Sequence, residues 1–477
     1  MIRFKKAAAL AVSAAMLFSA VGCSSSSSGS SSSSSSSASS ESKSSTSTPG
    51  SDSSGSDEKG LTYASIKLGE DYKDLKESIK FLHHKTDRAS DGTMDKLVAE
   101  FNKMYPDIKV EMEAITDYAE DSKLRLTTKD WGDIMFIPSI DKAELSTYFI
   151  PFGTTEEMSQ YINFANNWEL DGQCYGIAYM GNAQGILINN KVFKDAGVTD
   201  MPKTPDEFIN ALKAIKEKTD AIPLYTNYAA GWTMGAWDAY LGAITTGDTT
   251  WINQKFVHTK EPFKNNGDGT GAYALYKILY DAVANKLIEE DYSTTDWESC
   301  KAKINNGEIG CMVLGSWAVA QMKAAGSHPE DISYIPFPIS VNGKQYATAG
   351  PDYCYGISKT TSESKQKAAM VFVKWMVENS GWCELEGGYP ISKTAFTTFS
   401  FNGVEVVEND PALAGEEDFM NNMNSESELA FNAGGDKKIQ DIITNAFNDT
   451  KSFDDIMAEW TSKWNDAQEE LGIKVLY

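Results

Sequence analysis

Trp317 stands directly after a predicted strand, in the run Gly315-Ser316-Trp317. An indole in that place offers a broad apolar face on which the C–H face of a ligand can stack. The competing reading is a tryptophan buried in the core. Trp232 and Trp237 fall within 227–240, a glycine-punctuated stretch rich in aromatic residues. One is expected to face a pocket and the other the core, and Trp232 is the pocket candidate. Trp460 and Trp464 keep helical spacing and read as packing. Asp352 and Tyr353 lie between Gly350-Pro351 and a predicted strand. A carboxylate accepts hydrogen bonds there, and a phenol both donates and accepts.

Patterns that would do covalent chemistry are missing from the sequence. It has no H-E-x-x-H, no G-x-S-x-G, no Walker loop and no EF-hand loop. Gly267-Asp268-Gly269-Thr270-Gly271 lacks the spacing and the preceding strand of a nucleotide-binding loop and reads as a turn. Carboxylates are abundant enough for a glycosidase pair, but nothing singles out two of them. We therefore expect no catalytic residues, no metal ligands and no cofactor. Six cysteines occur without a C-x-x-C pair. Cys174, Cys300, Cys311, Cys354 and Cys383 read mainly as small buried hydrophobes, with a Cys300–Cys311 bridge conceivable.

The net charge of −24 becomes −27 if Arg3, Lys5 and Lys6 are removed with a leader. So acidic a body is repelled by nucleic acid, which is excluded as a partner. Residues 1–22 read as a signal peptide: a basic start, an apolar stretch over 7–18 too short to span a bilayer, and small residues before Cys23. Residues 23–60 are mostly serine, with Thr, Gly, a few charges and Pro49 but no apolar residue able to enter a core, and read as a disordered tether. About 37 such residues reach roughly 30–35 Å on average. A lead-in segment, 61–77, follows, and the rest is long enough for two domains.

The elements that must position these side chains alternate. Ile79–Leu82 reads as a strand followed by a polar loop, 83–88, whose adjacent His83 and His84 could contact a ligand but read first as exposed. Met94, Leu97, Val98, Phe101 and Tyr105 keep helical spacing up to Pro106. Ile108, Val110, Met112 and Ala114 alternate with charged residues as in a half-buried strand. Thr204-Pro205-Asp206-Glu207 is a helix start with a capping box, and Ser452 opens a last helix closed by Gly472. Strands alternating with helices predict an α/β architecture with mostly parallel sheets.

The residues before Cys23 resemble the lipobox of bacterial lipoproteins, with Ala20 where leucine is usual. The resemblance implies a diacylglyceryl group on Cys23 and a protein held at the extracellular face of the cell membrane. The alternative is a secreted protein cleaved near Gly22. Further along, five segments in order resemble the extracellular solute-binding proteins of ABC importers, in the group that includes maltose-binding protein. They are Phe101–Val110, Gly132-Asp133-Ile134, Asp171–Ile177 with Leu187–Gly197, Lys203–Phe208, and Gly307–Met312 with Gly315-Ser316-Trp317. Ala178 stands where proline is usual.

This resemblance implies a two-lobed periplasmic-binding-protein-like fold with a hinge and a cleft between the lobes. Lobe one would be 78–180 with 338–386, and lobe two 183–334 with 391–477. The crossings would fall near 178–183, 334–338 and 387–391. It implies a monomer that captures a carbohydrate, such as an oligosaccharide, for a membrane permease. A peptide or other small solute, or a surface glycoside hydrolase or glycan adhesin, are the other readings. The implied ligand-binding residues are Trp317, Trp232, Asp87, Asp133, Asp352, Tyr353 and Tyr389. Asp87 and Asp133 are placed by the family's polar contacts, and Tyr389 by its position at a crossing.

Overall fold

The computed structural model describes residues 61–477 except 117, 394–403, 414–415 and 432–435. The expected signal peptide, Cys23 and the serine tether lie outside the described residues. Among the described residues, no helix is long and apolar enough to cross a membrane.

The chain enters through the lead-in segment, which docks on the first lobe. Tyr63 is fully buried, donates its hydroxyl to Glu378 at 2.8 Å and donates its N–H to the Phe152 carbonyl at 2.7 Å. β1 (Glu77–His83) and β2 (Ile108–Ala114) then pair in parallel, Glu77 with Ile108 through His83 with Ala114. The helix Thr93–Met104 connects them, burying Met94, Leu97 and Phe101, and ends just before Pro106. β3 (Ile134–Phe136) and β4 (Phe149–Ile150) extend this sheet. β5 (Gly153–Thr154), β6 (Glu169–Leu170) and β7 (Gln173–Cys174) form a three-stranded annex. Asp171 and Gly172 both take positive φ (51° and 72°) between β6 and β7. That is the two-residue hairpin turn an Asp-Gly pair favours. β8 (Ile177–Ala178) closes this pass through the lobe.

The chain then crosses. β9 (Gly181–Asn189), β10 (Ile222–Leu224), β11 (Ile309–Gly315), β12 (Ile332–Ile335) and β13 (Tyr346–Pro351) all belong to a second sheet. β14 (Cys354–Ser358) returns to the first, and β15 (Glu405–Glu408) to the second. The strand orders are β2-β1-β3-β14-β4 with β8 on β14, and β10-β11-β9-β13-β15 with β12 on β9. Each sheet has its own core: Phe81, Phe136, Tyr355 and Phe372 in lobe one, and Tyr240, Phe256, Phe431 and Trp464 in lobe two.

Local signals decided many of these elements. Thr204 caps the helix Pro205–Lys218 by accepting from the Glu207 N–H. Such a cap contributes on the order of 1 kcal/mol. The Glu207 carboxylate reaches back to the N–H of Lys203, one residue earlier than a standard capping box. Ser452 caps the helix Phe453–Glu470, and Gly472 leaves it at φ 63°. Trp460 and Trp464 are core residues of that helix, as their spacing implied. Among the described residues the five cysteines are free, and Cys300 and Cys311 donate separately to the carbonyls of Trp297 and Pro223.

Three expectations need correction. The sheets are mixed rather than mostly parallel. β9 runs antiparallel to β11, β12 and β13, and β14 runs antiparallel to β3, β4 and β8. The second crossing lies at Asp352-Tyr353, not at 334–338. After β12 the chain stays on lobe two because Phe337 packs on Tyr240 and Trp237, with centroids 4.7 and 6.1 Å apart, and β13 then pairs with β9. Residues 338–351 therefore belong to lobe two. The third crossing falls after Lys393, not at 387–391. Ile391 is buried in the lobe-one core, and the Lys393 N–H donates to the Tyr161 carbonyl.

The crossing strands lie side by side. The Tyr179 N–H donates to the Tyr353 carbonyl (3.1 Å), and the Asp352 N–H to that of Met180 (2.9 Å). Gly181 and Tyr389 exchange both backbone bonds (3.0 and 2.7 Å). A Cβ on Gly181 would sit 2.7 Å from the Phe164 ring, so only glycine permits this approach.

Candidate ligand-binding site

In open α/β sheets, ligands bind beyond the carboxyl ends of the strands. In lobe one those ends deliver His84 after β1 and Ile137 after β3. In lobe two the carboxyl end of β11 delivers Ser316 and Trp317, and the segment after β10 leads to Trp232. The Ser316 N–H donates to the Ala183 carbonyl (2.9 Å), and the Ala183 N–H donates to Ser316 Oγ (3.0 Å). Trp317 is thereby pinned beside the first crossing. Asn182, the next residue back, donates its Nδ2 to Asp352 Oδ2 at 2.9 Å. One stretch of the molecule thus joins both hinge strands and the tip of β11.

The lobe-two side is a cluster of three indoles. Trp232 and Trp297 meet edge to face at 5.0 Å, Trp232 and Trp317 at 5.6 Å, and Trp297 and Trp317 at 5.7 Å. Trp232 is 51% exposed, whereas Trp237 is buried in the lobe-two core. Trp317 is half-buried and packs against both the lobe-one core and the cluster around Leu314. Trp297 was not anticipated. It opens the helix Trp297–Asn305, capped by Asp296, and shares an apolar stripe with Cys300 and Ile304. From the sequence that stripe reads as packing.

The lobe-one side is a nest of rings. His84 lies 4.7 Å from Tyr353, 5.8 Å from Tyr118 and 6.0 Å from Tyr179. Tyr118 is tied by its hydroxyl to the Phe136 carbonyl (2.6 Å). His83 ends β1 fully buried, and His84 is half-buried, against the expectation of exposed loop histidines. Burial, followed by the charge of Lys85, lowers His84 to about 3 and His83 to about 4, so both are neutral near pH 7. His84 Nδ1, Tyr179 Oη and Asn182 Oδ1 are buried without a hydrogen-bond partner among the described residues. Orphaned polar atoms gathered in one place are rare in folded proteins and suit a ligand that brings hydroxyls or amides.

The other candidates divide. Asp352 belongs to this nest, its Oδ1 held by the Tyr353 N–H at 2.7 Å. Asp87 sits on the short helix Thr86–Ser90, largely exposed, with its carboxylate 3.9 Å from Arg88. It lies near enough to act on both histidines, which makes it a rim residue. Tyr389 lies on lobe one, bridged through its backbone to Gly181 of the first crossing, its ring 6.0 Å from Phe164 rather than among the indoles. Asp133 lies elsewhere. It precedes β3, at the opposite end from His84, and is 5% exposed. Its carboxylate accepts from the Lys80 N–H (2.9 Å) and the Thr361 hydroxyl and pairs with Lys365 (3.1 Å). Its acceptors are taken up by the fold. A surface hollow of about 740 Å³ bordered by Val198, Met201, Lys203 and Glu207 also lies on lobe two, without any of these rings.

Two lobes with thin crossings that lie side by side, antiparallel, and an aromatic cluster beside unpaired polar groups at the crossings, define a binding protein that closes on a solute. The chain belongs to the bacterial extracellular solute-binding protein family, which it matches over residues 85–381. It is similar to BlMnBP2 of Bifidobacterium animalis subsp. lactis, a manno-oligosaccharide specific solute binding protein solved in complex with mannotriose. The two are 51% identical, over 86% of this chain and 99% of that one, with a TM-score of 0.82. BlMnBP1 of the same organism, a binding protein of an ABC transporter also solved with mannotriose, is 52% identical over the same shares, with a TM-score of 0.81. The multiple sugar-binding protein of Streptococcus mutans serotype c is 25% identical over 316 residues, 64% of this chain and 72% of that protein. The family and these relatives are binding proteins rather than enzymes.

Proposed function

We propose that this chain captures a manno-oligosaccharide outside the cell and hands it to the permease of an ABC importer. The observation that carries this reading is the cluster of Trp232, Trp297 and Trp317 set beside His84 Nδ1, Tyr179 Oη, Asn182 Oδ1 and the Asp352 carboxylate. Sugars present apolar C–H faces and rims of hydroxyls, so indoles stack on the first and the polar groups exchange hydrogen bonds with the second. Likeness to two mannotriose complexes supports the choice of sugar. Trp317, Trp232, Asp352 and Tyr353 are the proposed contacts, with Asp87 at the rim and Tyr389 at the hinge.

In this reading the protein works as a lipid-anchored monomer at the extracellular face of the membrane, held through Cys23 by the serine tether. Two acyl chains would anchor it stably where one would not. Mass spectrometry of the mature N-terminus should find Cys23 acylated, and Cys23→Ala should release the protein into the medium. Unmodified wild-type protein in the soluble fraction would remove the anchor from the proposal.

Titration calorimetry with mannotriose tests the ligand. Saturable binding, a higher melting temperature and recovery of intact sugar after long incubation are expected. Shorter products would favour a hydrolase, and binding of peptides without binding of any sugar would change the solute while keeping the fold.

A further inference from the structure

Asp352 is a half-buried carboxylate with no cation within ion-pair distance among the described residues; the groups that donate to it, the Asn182 amide and the Tyr353 N–H, are neutral, as is the Tyr179 hydroxyl beside it. The cations nearest the nest are already matched. Glu386, 2% exposed, takes Lys85 Nζ at 2.9 Å and Arg88 Nε at 2.7 Å. Arg88 also meets Asp87 and Asp91. His84 is neutral, so it supplies no charge. On the lobe-two side Lys301 lies 5.1 Å over the Trp297 ring but is paired with Glu298 at 2.9 Å. Lys85, Arg88, Asp87, Asp91, Asp352 and Glu386 together leave this wall with an excess of two negative charges.

We infer that the site selects by charge: it accepts neutral oligosaccharides and rejects those bearing carboxylate, sulfate or phosphate, with Asp352 as the selecting group and Glu386 masking the cations that would otherwise admit an anion. The inference rests on the carbohydrate reading above. An anionic ligand closed into this wall would bring a like charge toward Asp352 where little water remains to screen it. A neutral sugar instead donates hydroxyl protons to the same carboxylate. Rejection therefore comes from a carboxylate whose charge no cation offsets, which costs a neutral ligand nothing and an anion a great deal.

The test uses three ligands: mannotriose, mannotriose with its primary hydroxyls oxidised to carboxylates, and the carboxamide of that derivative. The amide matches the acid in size but carries no charge. Calorimetry on the full-length mature protein should show the amide binding at least tenfold more tightly than the acid, with the gap narrowing at high salt. Asp352→Asn should shrink the amide-to-acid ratio about tenfold, even where it weakens mannotriose itself. Glu386→Gln, by unmasking Lys85 and removing one negative charge from the wall, should move the ratio in the same direction. Equal binding of acid and amide by the wild type would overturn the inference, as would a ratio unchanged by Asp352→Asn. Failure of mannotriose to bind would instead remove the carbohydrate reading on which it stands.

Discussion

On the lobe-one side of the site, His84, Tyr118, Tyr179 and Tyr353 pack ring on ring above a buried ion network centred on Glu386. On the lobe-two side, Trp232 stands half in solvent and touches its neighbours mainly through other indoles. The first wall is held by the fold, so disturbing it disturbs stability. The second is held loosely at the end of a strand and a helix, so disturbing it should register in binding while the fold stands. Buried polar groups are costly to leave unmatched, whereas an exposed aromatic loses mainly the ligand.

The largest effect should come from breaking the lobe-one wall. Glu386→Ala leaves Lys85 buried and unpaired and takes from Arg88 its nearest carboxylate, and chemical denaturation should show a loss of about 3–5 kcal/mol. A loss under about 1 kcal/mol would mean that water reaches these cations and that the wall is not fixed by this network.

The two lobes should also respond to pH in opposite directions. Glu289 in lobe two is buried, which raises it to about 7, although the Thr226 N–H and hydroxyl donate to it. It binds its proton more tightly folded than unfolded. Its contribution is therefore full below about 4.5 and is lost as pH rises to about 7, on the order of 1–3 kcal/mol. His83 and His84 in lobe one are lowered to about 4 and about 3. Their contribution is full above about 6.5 and is lost as pH falls toward those values. Melting curves from pH 4 to 8 should lose the first slope in Glu289→Gln and the second in a His83→Gln, His84→Gln double variant. Unchanged slopes in both would show that other groups set the pH response.

Trp317→Ala should weaken sugar binding by about 1–3 kcal/mol, and Trp232→Ala by less, with melting of the unliganded protein almost unmoved. A large fall in melting temperature for Trp317→Ala would place that indole in the core and erase the contrast between the walls. The smallest effect is an expected absence of change. Because His84 stays neutral, mannotriose affinity should be flat between pH 5 and 8 by calorimetry, and a clear inflection near 6.5 would show that it is charged when free.

Local patterns carried much of the architecture. β2 spans the alternating run Ile108–Ala114, the helix after Thr204 begins where its cap and proline place it, and Asp171-Gly172 makes the hairpin its composition favours. These features depend on periods of two and 3.6 residues and on neighbours within four positions, so the chain states them directly. An ordered set of such segments was also enough to indicate the family. Long-range pairing decided the rest. Whether residues 338–351 join lobe one or lobe two depends on β13 finding β9, more than 150 residues earlier. The same carboxylate type became a fold element at Asp133, where Lys80, Thr361 and Lys365 converge, and an acceptor held by neutral donors at Asp352, where no cation among the described residues pairs with it. Trp297 joined Trp232 and Trp317 only because three distant segments end at one place. A polar or aromatic residue takes its role from neighbours brought by the tertiary fold, and sequence spacing does not encode those neighbours.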